Sequence, residues 1–239
     1  MQEVPFSVAR ILEFGTTAHA NTTCTTWRAS GAEETTFGEI GARATAFANA
    51  LHDDLGIDGD QRVSTLLYNC AEHIEVMFAV AAKGAVFNPL NVQLMADQIA
   101  YVVNHSEAQL IVADPRLAEK LGTILEQCPK VRAVAFTGVE PLDAARQHMP
   151  DSVAVYSYEQ LLDGRPTAYP WPELPENTAA ALVYSTATTG APMGVAYSHR
   201  QLSALRDILA AHFDVSPGTG LVTGFAPFAL LGPALGTLS

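Results

Sequence analysis

The feature that most restricts the fold is a regular alternation of short apolar runs and longer amphipathic stretches. Residues 62–68, 109–113 and 131–137 are compact apolar runs, with Asp58-Gly59-Asp60 ahead of the first and Asp114-Pro115 turning the second. Around them Ile74, Met77, Phe78 and Ala81, then Ile99, Val102 and Val103, then Leu117, Leu121, Ile124 and Leu125 recur at helical spacing. Strands alternating with helices of roughly a dozen residues predict βαβ crossovers, hence an α/β fold with a mainly parallel sheet covered by helices on both faces. With 49% hydrophobic residues in 239, the chain can fill such a core.

The segments on either side of this alternation set the domain organisation. Residues 7–19 read as a helix with Val8, Ile11, Leu12 and Phe14 on one buried side, and residues 22–27, rich in β-branched threonine, as a strand. Thr36 followed three residues later by Glu39 is a capping box. Its helix buries Ile40, Ala44, Phe47, Leu51 and Leu55 and stops at Gly56. After a strand at 153–156 and a short helix at 159–162, prolines at 166, 170, 172 and 175 favour extended backbone that cannot join a ladder. The expected division is a first α/β subdomain at 6–163, a Pro-rich crossing at 164–177, and the start of a second, incomplete α/β subdomain at 178–239. In the last of these, Ser198 and Gln201 form a second capping box ahead of Leu202, Leu205, Leu209 and Phe213. Residues 221–226 read as a strand, and a mostly apolar segment covers 227–236.

Chemistry concentrates in V-Y-S-T-A-T-T-G-A-P-M-G-V, residues 183–195, where apolar runs enter and leave a stretch of hydroxyl and small residues. That is the outline of strand, loop and strand. Small residues let backbone N–H groups approach an anion, so Ser185, Thr186, Thr188, Thr189 and Gly190 form either a phosphate cradle or a threonine-rich surface hairpin. The net charge of −12 argues against nucleic acid and anionic membrane as partners. Three cysteines without a C-x-x-C pair suggest neither a disulfide framework nor a zinc site, which fits a reducing cytoplasm. No stretch approaches the roughly 18 uninterrupted apolar residues of a spanning helix. His199, at a helix start, reads as a solvated or capping residue, and Glu33-Glu34 and Asp53-Asp54 as solvated surface.

Residues 183–195 resemble the phosphate-loop signature of the adenylate-forming superfamily, Y-T-S-G-T-T-G-x-P-K-G-V, through Tyr184, Thr188, Thr189, Gly190, Pro192, Gly194 and Val195. Two further stretches resemble other core motifs of that family: Thr36-Phe37-Gly38-Glu39-Ile40, and Lys83 to Asn91. The resemblance implies the N-terminal portion of a fatty-acyl-CoA synthetase. In such enzymes a carboxylate attacks Mg-ATP to give an acyl-adenylate and pyrophosphate, and CoA then takes the acyl group. On this resemblance Ser185, Thr186, Thr188, Thr189, Gly190 and Met193 border the nucleotide phosphates, while Phe228, Ala229 and Gly232 border the pocket for a fatty acid or other carboxylic acid. ATP, Mg²⁺ and CoA are the implied cofactors and co-substrates.

Two positions depart from the signature: Ala187 stands at the family's glycine and Met193 at its lysine. The resemblance also places the adenine site, a magnesium-holding glutamate, a ribose-binding aspartate and a catalytic lysine beyond Ser239. Two expectations follow. The chain is a synthetase portion impaired on its own, or it is a non-catalytic remnant that pairs with a complementary chain or with itself, because faces such as Phe228 and Leu235 are left uncovered.

Overall fold

The computed structural model describes residues 5–138, 142–185, 190–222 and 231–238. Its first helix, α1 (Val8–Ala18), is capped by Ser7, whose hydroxyl accepts the Arg10 amide. Val8, Ile11, Leu12 and Gly15 form the buried stripe at positions i, i+3, i+4 and i+7. Phe14, expected among them, falls off that line and is exposed, with its ring edge-on to His19. A hairpin of β1 (Thr23–Arg28) and β2 (Gly31–Thr36) follows, turning at Gly31, where φ is 125°. The Thr36–Glu39 capping box opens α2 (Phe37–Asp53) as expected, and Ile40, Ala44, Phe47 and Leu51 are buried.

The alternating region folds into β3 (Arg62–Leu66), α3 (Ala71–Lys83), β4 (Val86–Pro89), α4 (Ala96–Ser106), β5 (Ala108–Ala113), α5 (Ala118–Leu125), β6 (Ala133–Phe136), α6 (Leu142–Arg146), β7 (Ala154–Ser157) and α7 (Tyr158–Leu162). The Pro-rich stretch then delivers the chain to β8 (Ala179–Tyr184) and β9 (Gly194–Ser198). Next come α8 (His199–His212) and the short α9 (Leu231–Leu235). Among the described residues the main sheet has seven strands in the order β7-β6-β5-β3-β4-β8-β9. Every neighbouring pair is parallel except β8 and β9.

Strand alternation splits the core into two layers. Leu110 and Val112 of β5, with Ala133 and Ala135 of β6, face α1, α2 and α3, whereas Ile111, Ala113, Val134 and Phe136 face α4 and α5. Both faces are therefore apolar, which explains why these strands read as continuous apolar runs. Glu75 of α3, only 1% exposed, joins this core by pairing with Arg43 of α2 at 2.7 Å and accepting the Tyr158 hydroxyl at 2.9 Å. Burial nonetheless pushes its pKa up to about 7.

The crossing segment is fastened to this body: Asn49 donates to the carbonyls of Pro166 and Ala168, and the buried ammonium of Lys83 meets the Tyr169 hydroxyl. Beyond β9 the fit loosens. The expected apolar edge of α8 is fully buried only at Leu202, with Leu205 and Leu209 half-buried, while Ile208 and, just past the helix, Phe213 are exposed. Leu235, expected to be uncovered, instead packs against the main core. Helix α9 sits so close to α1 that a Cβ on Gly15 would lie 2.4 Å from Pro233 Cβ. Of the expected strand at 221–226, Leu221 and Val222 are not in a strand. Instead Leu221 donates to the Leu238 carbonyl beside a Gly220–Leu238 bridge, and residues 223–226 lie outside the described residues.

Candidate functional site

The stretch singled out in the sequence is a β-hairpin whose open end lies at the carboxyl end of β8. It therefore stands on the side of a parallel sheet where ligands of α/β folds bind. Pairing runs from Ala179 opposite Ser198 to Tyr184 opposite Gly194. Immediately beyond, Ser185 closes the mouth of the loop twice: its amide donates to the Met193 carbonyl at 3.0 Å, and its hydroxyl oxygen accepts the Met193 amide at 3.1 Å. That arrangement leaves the hydroxyl proton of Ser185 for another acceptor.

Gly190 is exposed, and a Cβ built there meets nothing within 4 Å among the described residues. The Met193 side chain is 72% exposed and offers an uncharged thioether at the mouth of the loop. Thr186, Ala187, Thr188 and Thr189 lie outside the described residues, as do Phe228 and Ala229. Gly232 is buried in α9, where its carbonyl accepts the Thr237 amide at 3.2 Å.

The stem of the hairpin is held from two sides that the sequence did not announce. On one, the Tyr184 ring lies so close to Gly194 that a Cβ there would be 3.0 Å from Tyr184 Cζ, a contact only glycine accommodates without a shift. The Tyr184 hydroxyl is 2.7 Å from His105 Nδ1 of α4, and the His105 ring stacks on Tyr101 at 5.6 Å. Partial burial raises the Tyr184 pKa. Between α4 and the end of β8 lies a cleft of about 20 Å³ lined by Leu90, Leu94, Ile99, Val102, Tyr184 and Ser185, room for about one water.

On the other side His199, expected at the surface, is fully buried, and its Nδ1 accepts the Val8 amide at 3.1 Å, capping the first turn of α1. Burial lowers its pKa to about 4. The neutral ring must then carry its proton on Nε2, which has no hydrogen-bond partner among the described residues. No local pattern could have signalled either histidine, since their partners are 79 and 191 residues away in sequence. Elsewhere, no group of three or more His, Cys, Asp or Glu side chains among the described residues is placed to hold a metal ion. No helix among them is long and apolar enough to cross a membrane.

Comparison with known proteins decides what this hairpin belongs to. Residues 14–232 match the family described as AMP-binding enzyme. The chain belongs to that family. Among relatives of this AMP-binding family member, a 3-methylmercaptopropionyl-CoA ligase of Ruegeria lacuscaerulensis is 30% identical over 84% of the chain and 36% of its own length. A medium-chain-fatty-acid–CoA ligase of Ectopseudomonas oleovorans is 36% identical over 68% of the chain and 29% of its own length. This member of the family thus spans about a third of the curated relatives it matches.

Solved structures agree on the architecture. An anthranilate CoA ligase in complex with anthranoyl-AMP superposes with a TM-score of 0.81 at 18% identity, covering 99% of this chain and 45% of that one. A fatty acyl CoA synthetase of Mycobacterium tuberculosis gives 0.77 at 18% identity, covering 97% and 44%. The α/β fold of this AMP-binding family member is therefore that of the N-terminal part of the adenylate-forming enzymes.

Proposed function

We propose that this chain is the nucleotide-phosphate and acyl-pocket portion of a ligase that activates a fatty acid or related carboxylic acid as an acyl-adenylate and passes it to CoA. The observation that carries this reading is the Ser185-to-Met193 loop, closed at its mouth and open at Gly190, on the ligand-binding side of a sheet that belongs to the AMP-binding family.

The residues fit the tail of a nucleoside triphosphate in part. The Ser185 hydroxyl and the exposed Gly190 backbone would offer donors, and Thr186, Thr188 and Thr189 would add hydroxyls. Met193 offers no charge, so this loop would hold the β- and γ-phosphates through hydrogen bonds. Mg²⁺ would reach the site on the nucleotide, held in part by its phosphates. ATP supplies the adenylyl group and the pyrophosphate leaving group, and CoA supplies the accepting thiol. Phe228, Ala229 and Gly232 would border the acyl chain. The three free cysteines, Cys24, Cys70 and Cys128, support a reducing, cytoplasmic setting.

On its own the 239-residue span is catalytically impaired in this reading, because it lacks both the loop cation and most of the relatives' length. A second reading, a non-catalytic partner that pairs with a complementary chain or with itself, is favoured by the exposed Ile208, Phe213 and Val222 beyond β9. Pyrophosphate release from ATP with a panel of fatty acids separates the two. Slow, acid-dependent release by this polypeptide supports the ligase, and ATP binding without any release supports the pairing partner. Absence of ATP binding refutes the phosphate-loop assignment.

A further inference from the structure

The loop begins where β8 ends, and what fixes that end is a row of aromatic groups rather than the hairpin ladder alone. Tyr184 is the last residue of β8, and its amide neighbour Ser185 supplies both bonds that close the loop. The Tyr184 ring is held in position: it covers Gly194 so closely that a Cβ there would lie 3.0 Å from Cζ, and the His105 ring meets it edge-on with centroids 5.7 Å apart. The Tyr184 hydroxyl and His105 Nδ1 share a hydrogen bond of 2.7 Å, and His105 is itself fixed by stacking on Tyr101 one helical turn earlier. Tyr184 also packs in the apolar layer that α4 helps to form, so this bond adds a polar tie between α4 and the stem of the loop.

We propose that Tyr184 and His105 are positioning residues for the loop: their hydrogen bond holds the end of β8 so that the Ser185 hydroxyl and the Gly190 backbone point at a bound phosphate. The inference rests on the nucleotide reading above but concerns a different pair of residues, so the two fail separately.

The test uses the full chain and three variants. Tyr184→Phe keeps the ring over Gly194 and removes the hydroxyl. His105→Phe keeps a ring against Tyr101 and removes the hydrogen-bonding nitrogen, and His105→Asn restores a polar partner near the Nδ1 position. Amide exchange at Ser185, measured by NMR, reads the tether without any ligand, and calorimetry with Mg-ATP reads its consequence. Tyr184→Phe and His105→Phe should each speed Ser185 exchange and weaken ATP binding by about fivefold, the effect of one net hydrogen bond. The double variant should be no worse than either single one, and His105→Asn should recover most of the loss. Unaltered melting temperatures would separate this from general unfolding. Unchanged exchange at Ser185 overturns the tether. Faster exchange with unchanged ATP affinity overturns the positioning role and leaves a structural bond. A wild-type chain that binds no ATP refutes the nucleotide reading instead, and exchange alone then decides the tether.

Discussion

Acidification should unlock the hairpin from α1 through His199, and the size of the effect follows from its surroundings. The ring is fully buried, its Nδ1 accepts the Val8 amide, and burial lowers its pKa from 6.5 to about 4. In the unfolded chain the same imidazole takes a proton near 6.5. Between those values the unfolded state binds more protons than the folded one, so stability falls as pH falls. The contribution is fully present above pH 6.5 and is lost progressively toward pH 4. At about 1.4 kcal/mol per tenfold change in proton affinity, the loss is about 3 kcal/mol, or roughly 6 to 12 °C of melting temperature for a chain of this size. Protonation also places a hydrogen on Nδ1, facing the Val8 N–H, so the capping bond cannot survive it.

His199→Asn is the comparison that isolates this term, because an amide oxygen near the Nδ1 position still accepts from Val8 and cannot titrate. Thermal unfolding of both proteins from pH 8 to pH 4 should give parallel curves above pH 6.5. Below it the wild type should drop away by several degrees relative to the variant. Other groups that titrate there, including His73, whose pKa burial also lowers to about 4, are common to both proteins and cancel in the difference. Curves that stay parallel throughout the window would refute the buried, neutral assignment of His199.

Met193→Lys should tighten pyrophosphate binding by about fivefold in calorimetry. The side chain is 72% exposed, so a charge about 4 Å from a phosphate acts through water-like screening and contributes about 1 kcal/mol rather than several. No change would count against a phosphate at this loop. Gly122→Ala should lose about 1 to 3 kcal/mol in urea denaturation, because the new methyl would lie 2.2 Å from the backbone carbonyl oxygen of His148. Gly59→Ala, whose nearest neighbour would be 4.0 Å away, is the control expected to change little.

The sequence carried the parallel α/β core because both sheet faces are covered. Runs such as Leu110-Ile111-Val112 must then be apolar at every position, and the helices between them must show a one-sided stripe. It carried the capping boxes at Thr36 and Ser198 because those bonds are made within four residues. It also carried the hairpin at 183–195, since hydroxyl and glycine residues between two apolar runs are a local signal.

Contacts between distant segments left no such trace. Phe14 reads as core by hydrophobicity yet faces solvent, because Gly15 takes the buried position against Pro233. His199 reads as a surface residue yet is buried, because α1 folds over it from the other end of the chain. His105 becomes part of the loop's support only when β8 docks beside β4, which brings Tyr184 within reach of α4. Periodicity and capping are properties of neighbouring residues and so are written in order along the chain. Which buried polar atom meets which depends on how whole strands and helices come to lie side by side, and that order appears only once the sheet has closed.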